Sequence, residues 1–286
     1  MANILVIGNA TLDVVSRVSA YPGEDDEVRA LARYSVRGGN GANTSVMLAR
    51  LGHAVSFVGT LADDAAAGVI RADLEHHGVD TRLCQSVSGG QTPMSCITLS
   101  EASGSRTIVH FRDLPELDVG HLAAHRYEPC DWIHIEARDT LLVTGLLAAL
   151  GGRAPVSLEV EKERPGIDRH LASPELLILG KDFVLAQGHA SPEDYLRCAS
   201  PGVDTVCPWG ARGAWLRGAG GAVKLHPADV PARVVDTLGA GDVFNAGLIH
   251  GRLRGLGPDD AVKLANRLAG RKCAVDGFAA VDLEGF

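Results

Sequence analysis

The sequence predicts an α/β fold, in which a mostly parallel central sheet carries helices on both faces. Short apolar runs recur along the chain, beginning with residues 4–8, and such runs are typical of strands buried on both sides. Segments with helical periodicity lie between several of these runs, and this alternation favours parallel strands. Hydrophobic residues make up 46% of the chain, which is sufficient for a substantial core.

The individual elements follow from these patterns in chain order. Strands are predicted at residues 4–8, 55–59, 132–136, 156–159, 176–180 and 203–208. Helices are predicted at residues 42–51, 63–77, 141–150, 240–253 and 258–275. A further strand is predicted at residues 232–235, directly before the helix that begins at Ala240.

Two segments depart from this alternation, at about residues 12–36 and 91–110. Polarity alternates there and turn residues intervene, which favours antiparallel strands that stand off the main sheet. We expect them to form a small β lid over an active site. Because no linker or internal repeat interrupts the chain, residues 1–286 are predicted to form a single domain.

Charge and cysteine content exclude several classes of partner. The formal net charge of -8 argues against a nucleic-acid partner, which would favour a basic surface. The six cysteines are scattered, and neither a signal-peptide pattern nor a membrane-length apolar run is found. We therefore expect a cytoplasmic protein with reduced thiols and no membrane partner. A P-loop motif is also missing from the sequence, which argues against a P-loop kinase.

The most informative segment, residues 236–242, reads Asp-Thr-Leu-Gly-Ala-Gly-Asp and opens a predicted helix. Glycines at a helix start allow backbone N–H groups to converge on an anion, and the helix dipole adds to the attraction. A carboxylate beside such a site repels phosphate but suits the role of a base, which makes Asp242 a candidate catalytic residue. A glycine turn with a capping aspartate is the plainer alternative, although it explains the whole heptad less well.

A second motif, residues 38–43, reads Gly-Gly-Asn-Gly-Ala-Asn at the start of another predicted helix. Asn40 and Asn43 are three residues apart, so they face the same way on a helix. An asparagine amide both donates and accepts hydrogen bonds, which suits the hydroxyls of a sugar. The alternative is an asparagine-capped helix after a flexible loop.

Together the two motifs resemble the signatures of the PfkB family of carbohydrate kinases. Further segments are similar to the ketohexokinases of that family, in the same order along residues 5–281. These segments are residues 12–14, 105–109, 132–138, 160–162, 234–236 and 269–273.

The resemblance implies a ribokinase-like fold and transfer of the γ-phosphate of ATP to a ketohexose such as fructose, at its 1-position. The alternatives are a family kinase for another sugar, a sugar acid, a sulfosugar or a nucleoside, and a non-catalytic sugar or nucleotide sensor.

The resemblance also implies roles for individual residues. Asp242 matches the catalytic base, and the anion hole matches the backbone of Gly239, Ala240 and Gly241. The sugar-side positions are Asp13, Gly39, Asn40, Asn43 and Arg138. The nucleotide and phosphate positions are Arg106, Lys181, Trp209, Gly210, Gly213, Asn266 and Cys273.

One departure from the family pattern concerns the metal. Many members carry an N-x-x-E motif where residues 180–183 here read Gly-Lys-Asp-Phe, so Lys181 is expected to serve the nucleotide phosphates as a point charge. Mg²⁺ would then be held by ATP and water, organised by either Glu159 or Glu161. These two glutamates alternate at a strand end, so only one is expected to face the site. The resemblance leaves a monovalent cation such as K⁺ open, and it suggests a homodimer formed through the lid.

Overall fold

A computed structural model describes residues 1–103, 105–125, 129–199 and 202–286 of the chain. Gly104, inside the second predicted lid segment, therefore lies outside the described residues. The strands are β1 (Asn3–Ile7), β2 (Thr11–Val18), β3 (Ala32–Gly38), β4 (Ala54–Val58), β5 (Thr60–Ala62), β6 (Val79–Asp80), β7 (Gln85–Val87), β8 (Met94–Ser100), β9 (Arg106–Phe111), β10 (Trp132–Glu136), β11 (Val156–Val160), β12 (Leu176–Leu179), β13 (Asp204–Pro208), β14 (Ala214–Arg217) and β15 (Val223–His226). The α-helices are α1 (Asn40–Arg50), α2 (Ala65–His76), α3 (Val119–Ala124), α4 (Thr140–Leu150), α5 (Lys181–Ala186), α6 (Pro192–Cys198), α7 (Ala240–Leu253) and α8 (Pro258–Cys273).

The central sheet has nine strands in the described ranges, in the order β15-β14-β13-β12-β11-β10-β1-β4-β6. Neighbours from β13 through β6 are parallel, and only the β13-β14-β15 end is antiparallel. Successive side chains of β1 point to opposite faces of the sheet, and each face is covered by a layer of helices. Ile4 and Val6 belong to the core that includes α1, α2, α7 and α8, whereas Leu5 and Ile7 belong to the core that includes α3 to α6.

A second sheet, of four strands in the order β3-β2-β8-β9, corresponds to the predicted lid segments. The β2–β3 and β8–β9 pairs are antiparallel, as predicted. The β2–β8 pair is parallel, and there the expectation of antiparallel strands was wrong. The reason is connectivity: β2 and β8 belong to different excursions of the chain, separated by β4 to β7, so no hairpin forces them to run in opposite directions.

Every strand and helix predicted on the central sheet is found within a few residues of its expected bounds, with one exception. Residues 232–235 form no strand in the structure. Val235 N instead donates to Cys273 O at the end of α8 over 2.8 Å, so this backbone is paired with a helix terminus. The antiparallel strands β14 and β15 were not predicted. Among the described residues, no helix is both long and apolar enough to cross a membrane.

Candidate active site

Asp242 lies in the first turn of α7, where the sequence motif predicts an anion-binding helix start. The turn depends on Gly239, whose φ of 74° is in the left-handed region that favours glycine. A Cβ at this position would also collide with the ring of Phe278. In the first turn of a helix the N–H groups lack the acceptors of a continuing helix, which is the basis of the predicted anion hole. Among the three residues assigned to it, Ala240 N donates to Thr237 O over 3.3 Å.

The Asp242 carboxylate is buried, with 7% of the residue exposed. Asn43 Nδ2 donates a hydrogen bond to Asp242 Oδ2 over 2.6 Å. Burial raises the pKa of Asp242 well above its usual value, and the nearby charges of Glu159 and Glu136 raise it further, whereas the bond from Asn43 opposes the shift. A carboxyl group in this setting binds a proton readily, as a general base must.

The N-terminus of α1 holds both asparagines against acidic groups. Gly39 precedes the helix with a φ of 93°, and a Cβ there would collide with the backbone of Asn9, so only glycine fits. Asn40 Nδ2 donates to Glu159 Oε1 over 3.1 Å. Of the two glutamates considered for the metal, Glu159 is therefore the one that contacts a predicted sugar residue. Glu161 follows the end of β11 and is exposed.

Glu136, at the end of β10, is a buried acid for which the sequence predicts no role. Its Oε2 accepts from Asn9 N at 2.8 Å and Gly41 N at 3.1 Å, and its Oε1 accepts from Arg138 Nη1 at 3.2 Å. Burial raises the pKa of Glu136, and the charge of Arg138 opposes that shift. Glu136 thus joins the turn after β1 to the start of α1. In the sequence, Glu136 could have been recognised from its position in segment 132–138, which resembles the ketohexokinases.

Three cavities border the segment 236–242. The smallest, of about 230 Å³, lies between this segment and the lid strands. Cavity A, of about 340 Å³, is lined by Arg106, Gly210, Gly213, Asn266 and Cys273 among the predicted nucleotide residues. Lys181 and Trp209 do not line it. Trp209 is buried in the core on the α3 to α6 face, and the Lys181 ammonium lies 5.5 Å from the centre of its ring.

Cavity B, of about 360 Å³, is lined by Asp13 and Asn43 of the predicted sugar residues and by Arg37, which is not among the predicted site residues. Arg37 Nε donates to Asp73 Oδ2 over 2.5 Å, and its Nη1 donates to Asn43 Oδ1. The position directly before the Gly-Gly-Asn motif was the only sequence signal for Arg37.

The segment 236–242 contributes residues to both cavities. Thr237, Ala240 and Gly241 line cavity A, whereas Asp236 and Leu238 line cavity B. The lid reaches the same segment, because Arg106 Nη1 at the start of β9 donates to Thr237 Oγ1 over 2.8 Å. Five of the seven predicted nucleotide residues line cavity A, and two of the five predicted sugar residues, Asp13 and Asn43, line cavity B. Neither cavity is lined by Gly39, Asn40, Arg138 or Asp242 itself.

This arrangement agrees with the match of the whole sequence to a known family. The signature described as pfkB family carbohydrate kinase matches residues 1–281. The chain belongs to the pfkB family of carbohydrate kinases. It is an ATP-dependent sugar kinase, as its family and its kinase relatives show.

Individual relatives of this pfkB kinase agree with that assignment. Ketohexokinase of Mus musculus is 33% identical over 96% of this chain and 97% of its own length. Ribokinase of Bacillus subtilis is 27% identical over 94% of this chain and 92% of its own length. The structure of Arabidopsis thaliana ribokinase complexed with ribose and ATP aligns with a TM-score of 0.78 at 23% identity, covering 96% of this chain and 94% of that one. These comparisons confirm the predicted family and the ribokinase-like α/β fold.

Proposed function

We propose that this kinase transfers the γ-phosphate of ATP to the 1-hydroxyl of a ketohexose such as fructose. One observation carries the proposal: residues of the segment 236–242, which ends in the buried Asp242, line both cavity A and cavity B. ATP in cavity A and a sugar in cavity B would then meet at the start of α7. Phosphoryl transfer mainly requires such alignment together with stabilisation of charge.

In this scheme Asp242 takes the proton from the attacking hydroxyl. The backbone N–H groups of Gly239, Ala240 and Gly241 bind the charge on the transferred phosphoryl group. Asp13 and Asn40 hold the sugar hydroxyls, while Asn43 lies between the sugar and the base. Support for Asn43 in this place comes from its position in cavity B and its bond to Asp242.

On the phosphate side, Arg106 adds positive charge from the lid, next to Thr237. Arg138 acts on the substrate side through its contact with Glu136. Closure of the lid would exclude water, which competes with the sugar as a nucleophile.

A ketohexose is favoured because the family-like segments of the sequence resemble ketohexokinases and the mouse ketohexokinase aligns over nearly the whole chain. The rival is a kinase of this family for another sugar, a sugar acid, a sulfosugar or a nucleoside, and ribokinase of Bacillus subtilis aligns over a similar length. A non-catalytic sensor would have no use for a buried carboxylate at the anion-binding turn.

Magnesium enters the proposal as a partner of ATP. The described residues contain no group of three or more His, Cys, Asp or Glu that could hold a metal ion by themselves. Glu159 fits the role of an outer partner, since its Oε2 is buried without a hydrogen bond in the described structure and has His134 Nε2 at 3.7 Å. We propose that Glu159 contacts the water around the ion, whose charge would neutralise the phosphates. Dependence on K⁺ stays a prediction, to be tested by comparing turnover in potassium and choline salts.

The lid offers a surface for a second copy of the chain. All six residues of the edge strand β9 are exposed, and Ile108, Val109 and Phe111 are 47%, 68% and 55% exposed. An exposed apolar edge strand is usually covered or paired in a soluble protein. We therefore propose that the chain forms a homodimer through its lid. We also propose that residues 1–286 are a single kinase domain and that the protein works in the cytoplasm.

The test is consumption of ATP measured against a panel of ketohexoses, aldoses, sugar acids, sulfosugars and nucleosides. Fastest turnover with a ketohexose, and a 1-phosphate product, is expected. Preference for another acceptor would replace the ketohexose but leave the kinase scheme in place. Binding of a sugar without any consumption of ATP would favour the sensor.

A further inference from the structure

Lys272, near the end of α8, is a buried cation that is not among the predicted site residues. Its side chain is fully buried, with 0% exposed. A lysine ammonium buried in this way is costly unless it is paired and hydrogen-bonded. Lys272 Nζ lies 2.6 Å from Asp236 Oδ2 and 3.1 Å from Asp236 O, and it lies 5.8 Å from the centre of the Phe278 ring.

Its partner Asp236 is the first residue of the segment proposed to bind the phosphoryl group. Asp236 Oδ1 accepts from Leu238 N at 2.8 Å, inside that segment. Asp236 Oδ2 also accepts from Gly277 N at 3.3 Å, beyond the end of α8. The carboxylate therefore joins the segment to the chain that follows α8, and the Lys272 ammonium supplies the charge that balances it.

The same C-terminal chain supports the other end of the turn. The ring of Phe278 packs where a side chain on Gly239 would otherwise project. Val235 N and Asp236 N both donate to Cys273 O, the carbonyl next to Lys272 in the chain. Residues 272–278 thus support the first part of the segment, from Asp236 to Gly239.

We propose that Lys272 is a positioning residue for phosphoryl transfer, a built-in cation that holds the Asp236–Gly239 turn so that the N–H groups before Asp242 point to the transferred phosphoryl group. The inference rests on the proposed function of that segment as an anion hole. Lys272 itself contacts neither substrate: it does not line cavity A or cavity B, although its neighbour Cys273 and its partner Asp236 do.

Replacing Lys272 by methionine keeps much of the volume and removes the charge. In the Lys272→Met kinase we expect kcat to fall about 10²-fold, as when a donor to a developing anion is lost, with the KM values for ATP and sugar changed less than about threefold. Hydrogen exchange of the backbone amides of residues 237–243 should become faster. The control is Lys263→Met on the same helix, because Lys263 is exposed and pairs with Asp260. This variant should change neither kcat nor the hydrogen exchange of residues 237–243.

Two further variants keep the test decisive. If Lys272→Met does not fold, the double variant Lys272→Met, Asp236→Asn removes both charges of the pair, an exchange that buried ion pairs often tolerate. It should fold and show the same loss of kcat and the same faster exchange. In Lys272→Ala, added methylammonium should recover part of the lost kcat, since a free cation can take the place of the missing ammonium.

A folded variant with kcat within threefold of wild type, or one that loses kcat without faster exchange at residues 237–243, overturns the inference. Failure of the proposed function gives a different result. In that case the wild-type protein transfers phosphate to no sugar, while the exchange measurement still decides whether Lys272 holds the segment.

Discussion

Asn43 Nδ2 donates a hydrogen bond to Asp242 Oδ2 over 2.6 Å, between residues that are 199 positions apart in the sequence. The orientation of the Asn43 amide follows from its other contact. Arg37 can only donate, so the oxygen of Asn43 must face Arg37 and the amide nitrogen must face Asp242. Residues from the lid, from α1 and from α7 thus determine together how the candidate base is held.

The first prediction concerns Asp242 itself. Asp242→Asn keeps the size of the side chain but removes the group that accepts the proton. Loss of a positioned base costs about 10²–10⁴-fold in rate, so we expect a fall in kcat of that order, with ATP binding retained. Steady-state kinetics and calorimetry with ATP measure the two quantities.

The matched control is Asp260→Asn, because Asp260 is exposed on α8 and pairs with Lys263. It should leave kcat unchanged. Turnover near the wild-type rate in folded Asp242→Asn would rule out Asp242 as the base.

A second prediction concerns pH. Burial and the charge of Glu159 raise the pKa of Asp242, so kcat/KM should fall as the pH is lowered through that raised pKa, above the usual value of about 4. The contribution of Asp242 to folding stability changes with pH in the opposite direction. The folded chain keeps a proton that the unfolded chain releases above about pH 4, so stability falls as the pH rises from there through the raised pKa.

Thermal unfolding over a pH series measures this second effect. Asp242→Asn cannot ionise at this position, so its Tm should exceed that of the wild type by an amount that grows with pH and vanishes below about pH 4. A difference in Tm that does not change with pH would contradict the raised pKa.

The third prediction concerns Asp13 in cavity B. Its carboxylate accepts from Thr11 Oγ1 at 2.9 Å and can accept further bonds from a sugar. A hydrogen bond to a charged group contributes about 1.5–3 kcal/mol, so Asp13→Ala should raise the KM for the sugar about tenfold or more, with little effect on the KM for ATP. Ser16→Ala on the same strand is the control. Equal effects on both KM values would show that Asp13 does not bind the sugar.

The fourth prediction concerns the lid arginine. Arg106→Met removes the charge beside Thr237 and should lower kcat by about tenfold or more while sugar binding is retained. Arg33→Met, at an exposed position on β3, provides the control for loss of an arginine from the lid. An unchanged kcat in Arg106→Met would place the transferred phosphate elsewhere.

The fifth prediction concerns the exposed lid edge. Light scattering should give a mass about twice the 30.0 kDa of one chain. Val109→Lys should shift the mass towards a single chain, because it places a charge on the apolar surface of β9. Leu225→Lys, on an exposed hydrophobic residue of β15 outside the lid, should leave the mass unchanged. A wild-type mass of one chain at micromolar concentration would contradict the dimer.

Local patterns predicted much of the fold and part of the site. Buried apolar runs, helical periodicity and glycine-rich helix starts depend on neighbours along the chain, and they identified the central strands, the main helices and the two motifs that meet at Asp242. The position of residues 232–235 was not predictable in this way. Their apolar character resembles that of a strand, but the backbone pairs with the end of α8.

The sequence by itself determined the layered α/β architecture, the family and the motifs that carry Asp242, Asn40 and Asn43. Only the tertiary structure decided that Arg37 orients Asn43, that Glu136 joins two turns and that Lys272 pairs with Asp236. It also decided that Trp209 packs in the core instead of lining cavity A. The physical reason is that such contacts join residues far apart in the chain, and their free energy depends on burial and distances that exist only after the sheets and helices have packed.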